Sequence, residues 1–123
     1  MTLREKQSKF ASLIPHIIND AIGLGFEVTL GECYRSPEEA ARLAKAGLGI
    51  KNSLHCQRLA IDINLFLNGK YLTKSEDYKQ LGDMWETKSG EGYTCHWGGN
   101  FVNNQGKPKP DGNHFSIGHL GRK

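Results

Sequence analysis

A histidine and an aspartate with six residues between them form the most chemically suggestive spacing in the sequence. The segment from Leu59 to Phe66 predicts a β-strand, on which Asp62 faces away from the row of Ile61 and Ile63. The residues Leu59, Ile61, Ile63 and Leu65 alternate there with Ala60, Asp62, Asn64 and Phe66. His55 lies just before this strand, where the chain can fold back and bring its imidazole beside the Asp62 carboxylate. Neutral imidazole and ionised carboxylate are both ligands that zinc takes in proteins.

Two ligands do not complete a zinc site, so this spacing predicts a third. The best candidate is His114, in the segment Asp111-Gly112-Asn113-His114-Phe115. Two histidines and one carboxylate leave a coordination position open, which is typical of catalytic rather than structural zinc. A zinc ion held in this way supplies an acidified water and polarises a carbonyl group. The alternative is that His55 and Asp62 form an ordinary polar pair beside a strand.

The joint pattern of Ser53-x-His55-x6-Asp62 and Asp111-x-x-His114 resembles the zinc peptidases that cut D-amino-acid-containing bonds in bacterial cell walls. These are the D-alanyl-D-alanine carboxypeptidases and the L-alanyl-D-glutamate endopeptidases of phage endolysins, within the fold group shared with lysostaphin and the hedgehog signalling domain. One departure is Arg58, where the family usually has a glycine. The resemblance covers roughly residues 31–116 and includes two further segments, Tyr34-Arg35-Ser36-Pro37-Glu38 and Trp97-Gly98-Gly99.

The resemblance implies roles for four more residues. Asp111 matches the family's catalytic acidic residue, which takes a proton from water and passes it to the leaving nitrogen. Arg35 would bind a substrate carboxylate or stabilise an oxyanion. Ser53 would bind substrate or orient His55, and His96 would line the substrate groove. For the last three the structural alternatives are a surface arginine, a loop serine and a packed strand histidine.

Alternatives also remain open for the proton carrier and for the metal ligands. Glu86 and Glu91 are rivals to Asp111, because the loop that carries them could reach the site, and Asp111 itself could be part of a simple turn. Cys56 and Cys95 are alternative soft ligands, although a site built on them would abandon the aspartate.

Hydrophobic periodicity predicts three helices. The first runs from about Glu5 to Ile22, with Pro15 inside it. The second begins with Ser36 as N-cap and Pro37 at the first position, and it ends near Ala46. Thr73 or Ser75 is predicted to cap the third.

Alternation and turn signals predict the strands, including a hairpin at Asn68-Gly69. Together the elements indicate an α+β fold, a small antiparallel sheet with about three packing helices, as in the hedgehog and D-Ala-D-Ala peptidase fold group. The predicted strands are Phe26–Leu30, Leu59–Phe66, Tyr71–Leu72, Cys95–Trp97 and Asn113–Ile117.

Length and composition indicate one ordinary globular unit. We expect residues 1–123 to form a single zinc peptidase catalytic domain and a monomer. Charged residues make up 24% and the net charge is +3, which suits an anionic substrate such as bacterial peptidoglycan. No run of lysine and arginine interleaves with aromatic residues, so we expect no nucleic-acid partner.

The N-terminal segment is charged and lacks the apolar core of a signal peptide, and no apolar run approaches a membrane span. We therefore expect synthesis in the host cytoplasm, reduced cysteines, no membrane insertion, and action on the cell wall after release by a separate membrane-permeabilising protein. This favours a phage endolysin that cuts the L-alanyl-D-glutamate bond. The alternatives are a D-alanyl-D-alanine carboxypeptidase or dipeptidase, and a non-catalytic zinc-stabilised binding module.

Overall fold

Three helices and five strands form the fold in the computed structural model, which describes residues 1–123. Three short 3-10 turns, Leu54–Gln57, Ser75–Tyr78 and Gly98–Asn100, connect these elements. The helices are α1 (Leu3–Gly23), α2 (Pro37–Lys45) and α3 (Lys79–Glu86), and the strands are β1 (Glu27–Leu30), β2 (Ala60–Leu67), β3 (Lys70–Tyr71), β4 (Cys95–Trp97) and β5 (His114–Ile117). All strand pairs are antiparallel, in the order β1-β2-β5-β4, with β3 paired to β2. The predicted α+β class is confirmed.

Helix α1 begins with a reciprocal cap that satisfies two backbone N–H groups. The Thr2 hydroxyl accepts from the Glu5 N–H at 3.2 Å, and the Glu5 carboxylate accepts from the Thr2 N–H at 2.9 Å. Pro15 lies inside the helix without ending it. None of the helices combines the length and the apolar character that crossing a bilayer requires.

The start of α2 agrees with its prediction, whereas the predicted cap of the third helix is wrong. Ser36 accepts from the Glu39 N–H at 3.1 Å. The third helical segment instead opens with the 3-10 turn at Ser75–Tyr78, which no side chain caps, and α3 starts only at Lys79. The Ser75 hydroxyl accepts from the Gly112 N–H at 2.9 Å, so it serves the loop before β5 rather than the helix.

One face of the sheet is apolar and packs against α1 and α3. The Trp85 ring lies between those of Phe10 and Phe115, at centroid distances of 5.9 and 6.1 Å and nearly perpendicular to both. Its indole N–H donates to the carbonyls of His96 and Ser116, each at 3.1 Å. Burial of each large apolar side chain contributes about 1.5–3 kcal/mol. This packing fixes the sheet whose opposite face carries polar side chains. The fully buried residues of the apolar face include Ile63, Leu65, Phe115 and Ile117.

Candidate metal centre

The pairing of β2 with β5 places two predicted ligands directly opposite each other. Asp62 is the register partner of His114, and both side chains project from the polar face of the sheet. The N–H and carbonyl of Asp62 bond to Glu32 and Gly31 rather than to β5, at 2.9 and 2.8 Å. Asp62 and His114 are therefore a non-hydrogen-bonded pair, the type whose side chains lie closest together in an antiparallel ladder.

A tight turn before β2 delivers the third predicted ligand. Ser53 caps the 3-10 turn at Leu54–Gln57, and its hydroxyl accepts from the His55 N–H at 3.1 Å. Ser53 is buried, so the structure places its hydroxyl on the His55 backbone. Its predicted contact with substrate stays a prediction. Arg58 ends the turn with φ 56° and ψ 36°, the left-handed conformation that a glycine would adopt there.

The three side chains form one group whose ligand atoms lie within 4.8 Å of one another. His55 Nε2 is 3.4 Å and His114 Nδ1 is 3.6 Å from the same Asp62 oxygen, Oδ1. These separations are long for N–H···O hydrogen bonds, which fall between about 2.7 and 3.2 Å. Ligands bound at about 2.0–2.1 Å to a tetrahedral zinc lie about 3.4 Å from one another. The three side chains could therefore hold a metal ion, and the two separations from Asp62 are close to those in a tetrahedral site.

The imidazole of His55 is oriented by a backbone carbonyl. Its Nδ1 lies 2.9 Å from the Cys33 oxygen, so in the neutral ring Nδ1–H donates and the Nε2 lone pair faces Asp62. The imidazole of His114 has no carbonyl partner of this kind: its Nε2 atom is buried and makes no hydrogen bond. The ring of His114 instead packs against Phe101, with centroids 5.3 Å apart.

The electrostatics of the group favour positive charge at its centre. Burial alone raises the pKa of Asp62, but contacts with His114 and His55 outweigh it and lower that pKa to about 2. Burial lowers the pKa of His55, yet Asp62 and the Cys33 carbonyl together hold it above its ordinary value. Asp62 therefore stays ionised across the physiological range, as a metal ligand must.

Asp111 lies at the open side of this group. Its Oδ2 is 4.0 Å from His114 Nδ1, and 58% of its side chain is exposed. The rival Glu86 is occupied, since its carboxylate accepts from the Trp97 N–H at 3.0 Å and from Asn100 at 3.1 Å. Glu91 is exposed in the turn between Gly90 and Tyr93. Among the three acids, Asp111 is the one that the structure brings beside a candidate ligand.

Contacts from two separate segments hold the loop that carries Asp111 and His114. The Trp97 indole N–H donates to the Gly112 carbonyl at 2.6 Å, and Ser75 accepts the Gly112 N–H. The Gly98 carbonyl accepts the Asp111 N–H at 2.9 Å. A side chain at Gly98 would overlap the Asp111 carbonyl oxygen, so the close approach requires glycine. The sequence does not mark these supports individually as parts of a site.

The guanidinium of Arg35 is turned toward Glu32. Its Nε donates to Glu32 Oε1 at 2.7 Å and its Nη2 reaches the same oxygen. That carboxylate oxygen is 3.9 Å from His55 Nδ1. The structure thus connects Arg35 to the His55 turn through Glu32, and substrate binding by Arg35 stays a prediction. Sequence reasoning missed Glu32, for which only its position three residues before Arg35 was a signal.

The remaining candidates lie outside the group. His96 is half-buried on β4, opposite Ser116, and its ring approaches Gly118 rather than the three ligand atoms. Cys95 is buried in the core, where burial first of all raises the pKa of its thiol to about 11. Cys56 points its sulfur toward the Ser36 carbonyl, 3.9 Å away. No cysteine belongs to the metal-ligating group.

Replacing Arg58 by glycine is expected to change the free energy of unfolding by less than about 1 kcal/mol. Glycine relieves a left-handed strain of about 1–2 kcal/mol, but it adds unfolded-state entropy and removes the cation–π contact with Tyr34, whose ring centroid is 4.1 Å away. Arg58→Val is the matched control, since a β-branched residue tolerates this conformation poorly, and it should lose about 1–2 kcal/mol. Urea unfolding measures both. Equal losses in the two variants would contradict a backbone origin.

The Glu32–Arg35 pair is expected to show a coupling energy of about 1 kcal/mol in a double-mutant cycle of Glu32→Gln and Arg35→Gln. The reason is burial, because the Arg35 side chain is only 14% exposed. The Glu39–Arg42 pair of α2 has the same spacing but side chains that are 40% and 66% exposed, so its coupling should be smaller. Additive losses at Glu32 and Arg35 would show that the contact does not stabilise the turn.

The fold defined by these elements is shared with a solved L-Ala D-Glu endopeptidase, which confirms the resemblance at the level of the fold. The crystal structure of Serratia marcescens L-Ala D-Glu endopeptidase ChiX superposes with a TM-score of 0.67. The two sequences are 20% identical, and the match covers 94% of this chain and 85% of that one. No protein-family model and no curated protein matches the sequence.

Proposed function

We propose that this chain is a zinc-dependent peptidase that hydrolyses the L-alanyl-D-glutamate bond of peptidoglycan stem peptides. The observation that carries the proposal is the cluster of His55, Asp62 and His114, whose histidine nitrogens lie 3.4 and 3.6 Å from the Asp62 oxygen, a separation suited to ligands of a tetrahedral ion and longer than usual for hydrogen bonds. Three protein ligands leave a position for a reactant, as catalytic sites do. The fold shared with an L-Ala D-Glu endopeptidase supports the choice of bond.

The residues of the chain have separate tasks in this reaction. His55, Asp62 and His114 hold the cation, which when bound would polarise the scissile carbonyl and acidify water. Asp111 takes a proton from the attacking water while the water oxygen bonds to the scissile carbonyl carbon. Asp111 then gives that proton to the amide nitrogen as the C–N bond breaks. The exposed side of Asp111 leaves space for substrate next to the candidate ligands.

We further propose that residues 1–123 act as a single catalytic domain and a monomer, with peptidoglycan as partner and without nucleic acid or membrane insertion. In a phage endolysin, the chain would reach the wall from the host cytoplasm after a separate protein has permeabilised the membrane. The net charge of +3 supports attraction to an anionic wall.

Mass spectrometry of fragments released from purified peptidoglycan tests the proposal. Zinc-loaded protein should generate new amino-terminal D-glutamate and free L-alanine carboxyl ends, and a chelator should stop their release. Free D-alanine without these ends would instead identify the carboxypeptidase alternative. Zinc binding without any release of fragments would favour the non-catalytic binding module.

A further inference from the structure

A basic cleft lies away from the three candidate ligands. It has a volume of about 270 Å³ and opens between the start of α1 and the segment that follows β5. Nine residues line it, and none of them is an aspartate or a glutamate. Five carry a positive charge or can acquire one: Lys6, His96, His119, Arg122 and Lys123.

Two of these cations are held in place without being neutralised. The Lys6 ammonium donates to His119 Nδ1 at 3.2 Å and lies 3.4 Å from the Gly118 carbonyl oxygen. Arg122 donates through Nη1 to the Asn52 carbonyl at 2.6 Å. All these acceptors are uncharged. The Asn52 side-chain oxygen, in the amide orientation that satisfies both partners, also accepts from Arg122 Nη2 at 3.1 Å. Neither Lys6 nor Arg122 is paired with a side-chain carboxylate, so both positive charges can still attract an anion. Elsewhere on the surface, by contrast, Arg42, Lys79 and Lys88 are each paired with a carboxylate.

Burial first, and nearby lysine charges second, lower the pKa values of the two histidines of the cleft. Burial lowers the pKa of His96, the charge of Lys123 lowers it further, and Glu86 acts weakly in the opposite direction. Burial and Lys6 lower the pKa of His119. Neutral imidazoles can still exchange hydrogen bonds with a ligand, so the cleft combines fixed positive charge with adaptable polar groups.

Strand β5 connects the cleft with the metal centre. His114 lies at its start and Gly118 directly after its end, a distance of about 14 Å at the usual rise of a strand. An extended peptide spans this distance with about four residues. The cleft is also tied to the His55 turn, because Asn52, which binds Arg122, immediately precedes Ser53.

We propose that the basic cleft is a second binding site that takes carboxylate groups of peptidoglycan stem peptides, beyond the bond that is cut. Ammonium and guanidinium groups bind carboxylates by charge-assisted hydrogen bonds, and a guanidinium fits both oxygens. The small volume of the cleft suits one such group and its neighbours. The identity of this ligand rests on the proposed cell-wall substrate, whereas occupation of the cleft can be measured without any bond being cut.

Co-sedimentation with purified peptidoglycan sacculi tests the site in low salt, in an Asp111→Asn background that keeps digestion slow. Lys6→Gln/Arg122→Gln should bind roughly tenfold more weakly than the parent. The matched control is Lys45→Gln/Lys107→Gln, which removes the same charge from exposed positions outside the cleft and should bind like the parent. Raising the salt should remove the difference between the two variants. Lys123→Gln, whose side chain makes no hydrogen bond within the fold, should weaken binding without affecting folding.

Two chemically treated sacculi identify the anion. Binding should survive removal of phosphodiesters with hydrofluoric acid and should be lost after carbodiimide-mediated amidation of the carboxylates. Equal weakening in the cleft and control variants would overturn the proposal, because it would then reflect net charge alone. The proposal would also be overturned if binding disappeared when the phosphodiesters were removed. It would be overturned as well if Lys123→Gln and Lys6→Gln/Arg122→Gln both bound like the parent. Cleft-dependent binding without release of any fragment would retain the site and refute the proposed reaction.

Discussion

Replacement of Asp111 by asparagine is expected to slow peptidoglycan hydrolysis by roughly 10²–10⁴-fold, the usual contribution of a general base. Asparagine has nearly the same shape but cannot accept the proton. The carboxylate lies 4.0 Å from His114 Nδ1 with 58% of the side chain exposed, so the variant should fold and keep its zinc. Turnover of stained sacculi, together with the zinc content of the same sample, measures the effect.

Glu91→Gln is the matched control, since it removes an exposed carboxylate that has no contact with the candidate ligands. It should leave hydrolysis unchanged. If Asp111→Asn keeps nearly full activity while Glu91→Gln loses it, the proton carrier is Glu91. Loss of metal together with activity in Asp111→Asn would make Asp111 a ligand or a support for one.

Alanine at His55 or at His114 is expected to remove both zinc and activity. Structural zinc sites bind with about 10–16 kcal/mol in total, so losing one of three ligands should cost several kcal/mol and weaken the affinity by roughly 10²–10⁴-fold. Metal analysis after equilibrium dialysis should find about one zinc per chain in the parent and almost none in either variant. Both histidines are buried, at 3% and 6% exposure, so circular dichroism must accompany the measurement.

His16→Ala controls for the loss of a histidine as such, because His16 is exposed on α1. A serine variant of all three cysteines, Cys33, Cys56 and Cys95, should likewise retain its zinc. Full zinc occupancy in the His55→Ala/His114→Ala double variant would refute the assignment of this metal centre.

Local signals predicted the elements well, because each depends on neighbours in the chain. Ser36 caps α2 as expected, and Asn68-Gly69 forms the hairpin turn with both φ angles positive. The alternation from Leu59 was sufficient to put Asp62 on the polar face. The predicted third cap was wrong because a serine hydroxyl can also bond a distant backbone group, and Ser75 accepts from the Gly112 N–H.

Long-range features of the site had no local signal. Sequence spacing suggested His114 as a ligand, but it could not give the register that sets His114 opposite Asp62. Nor could it give the Cys33 carbonyl, because a backbone acceptor leaves no trace in residue type. For Arg35 the side-chain chemistry was clear, whereas the partner depends on how β1 continues beside the His55 turn.

The cross-strand position of Asp62 and His114 has a consequence for the time at which activity arises. A contact between residues so far apart in sequence forms only after a long loop has been closed, and such non-local pairings are slow steps in folding. A nascent chain still lacking β5 cannot assemble the centre, and a partly folded chain has only the His55 turn and the Asp62 strand. If the proposed function holds, the capacity for hydrolysis emerges only as the last strand docks.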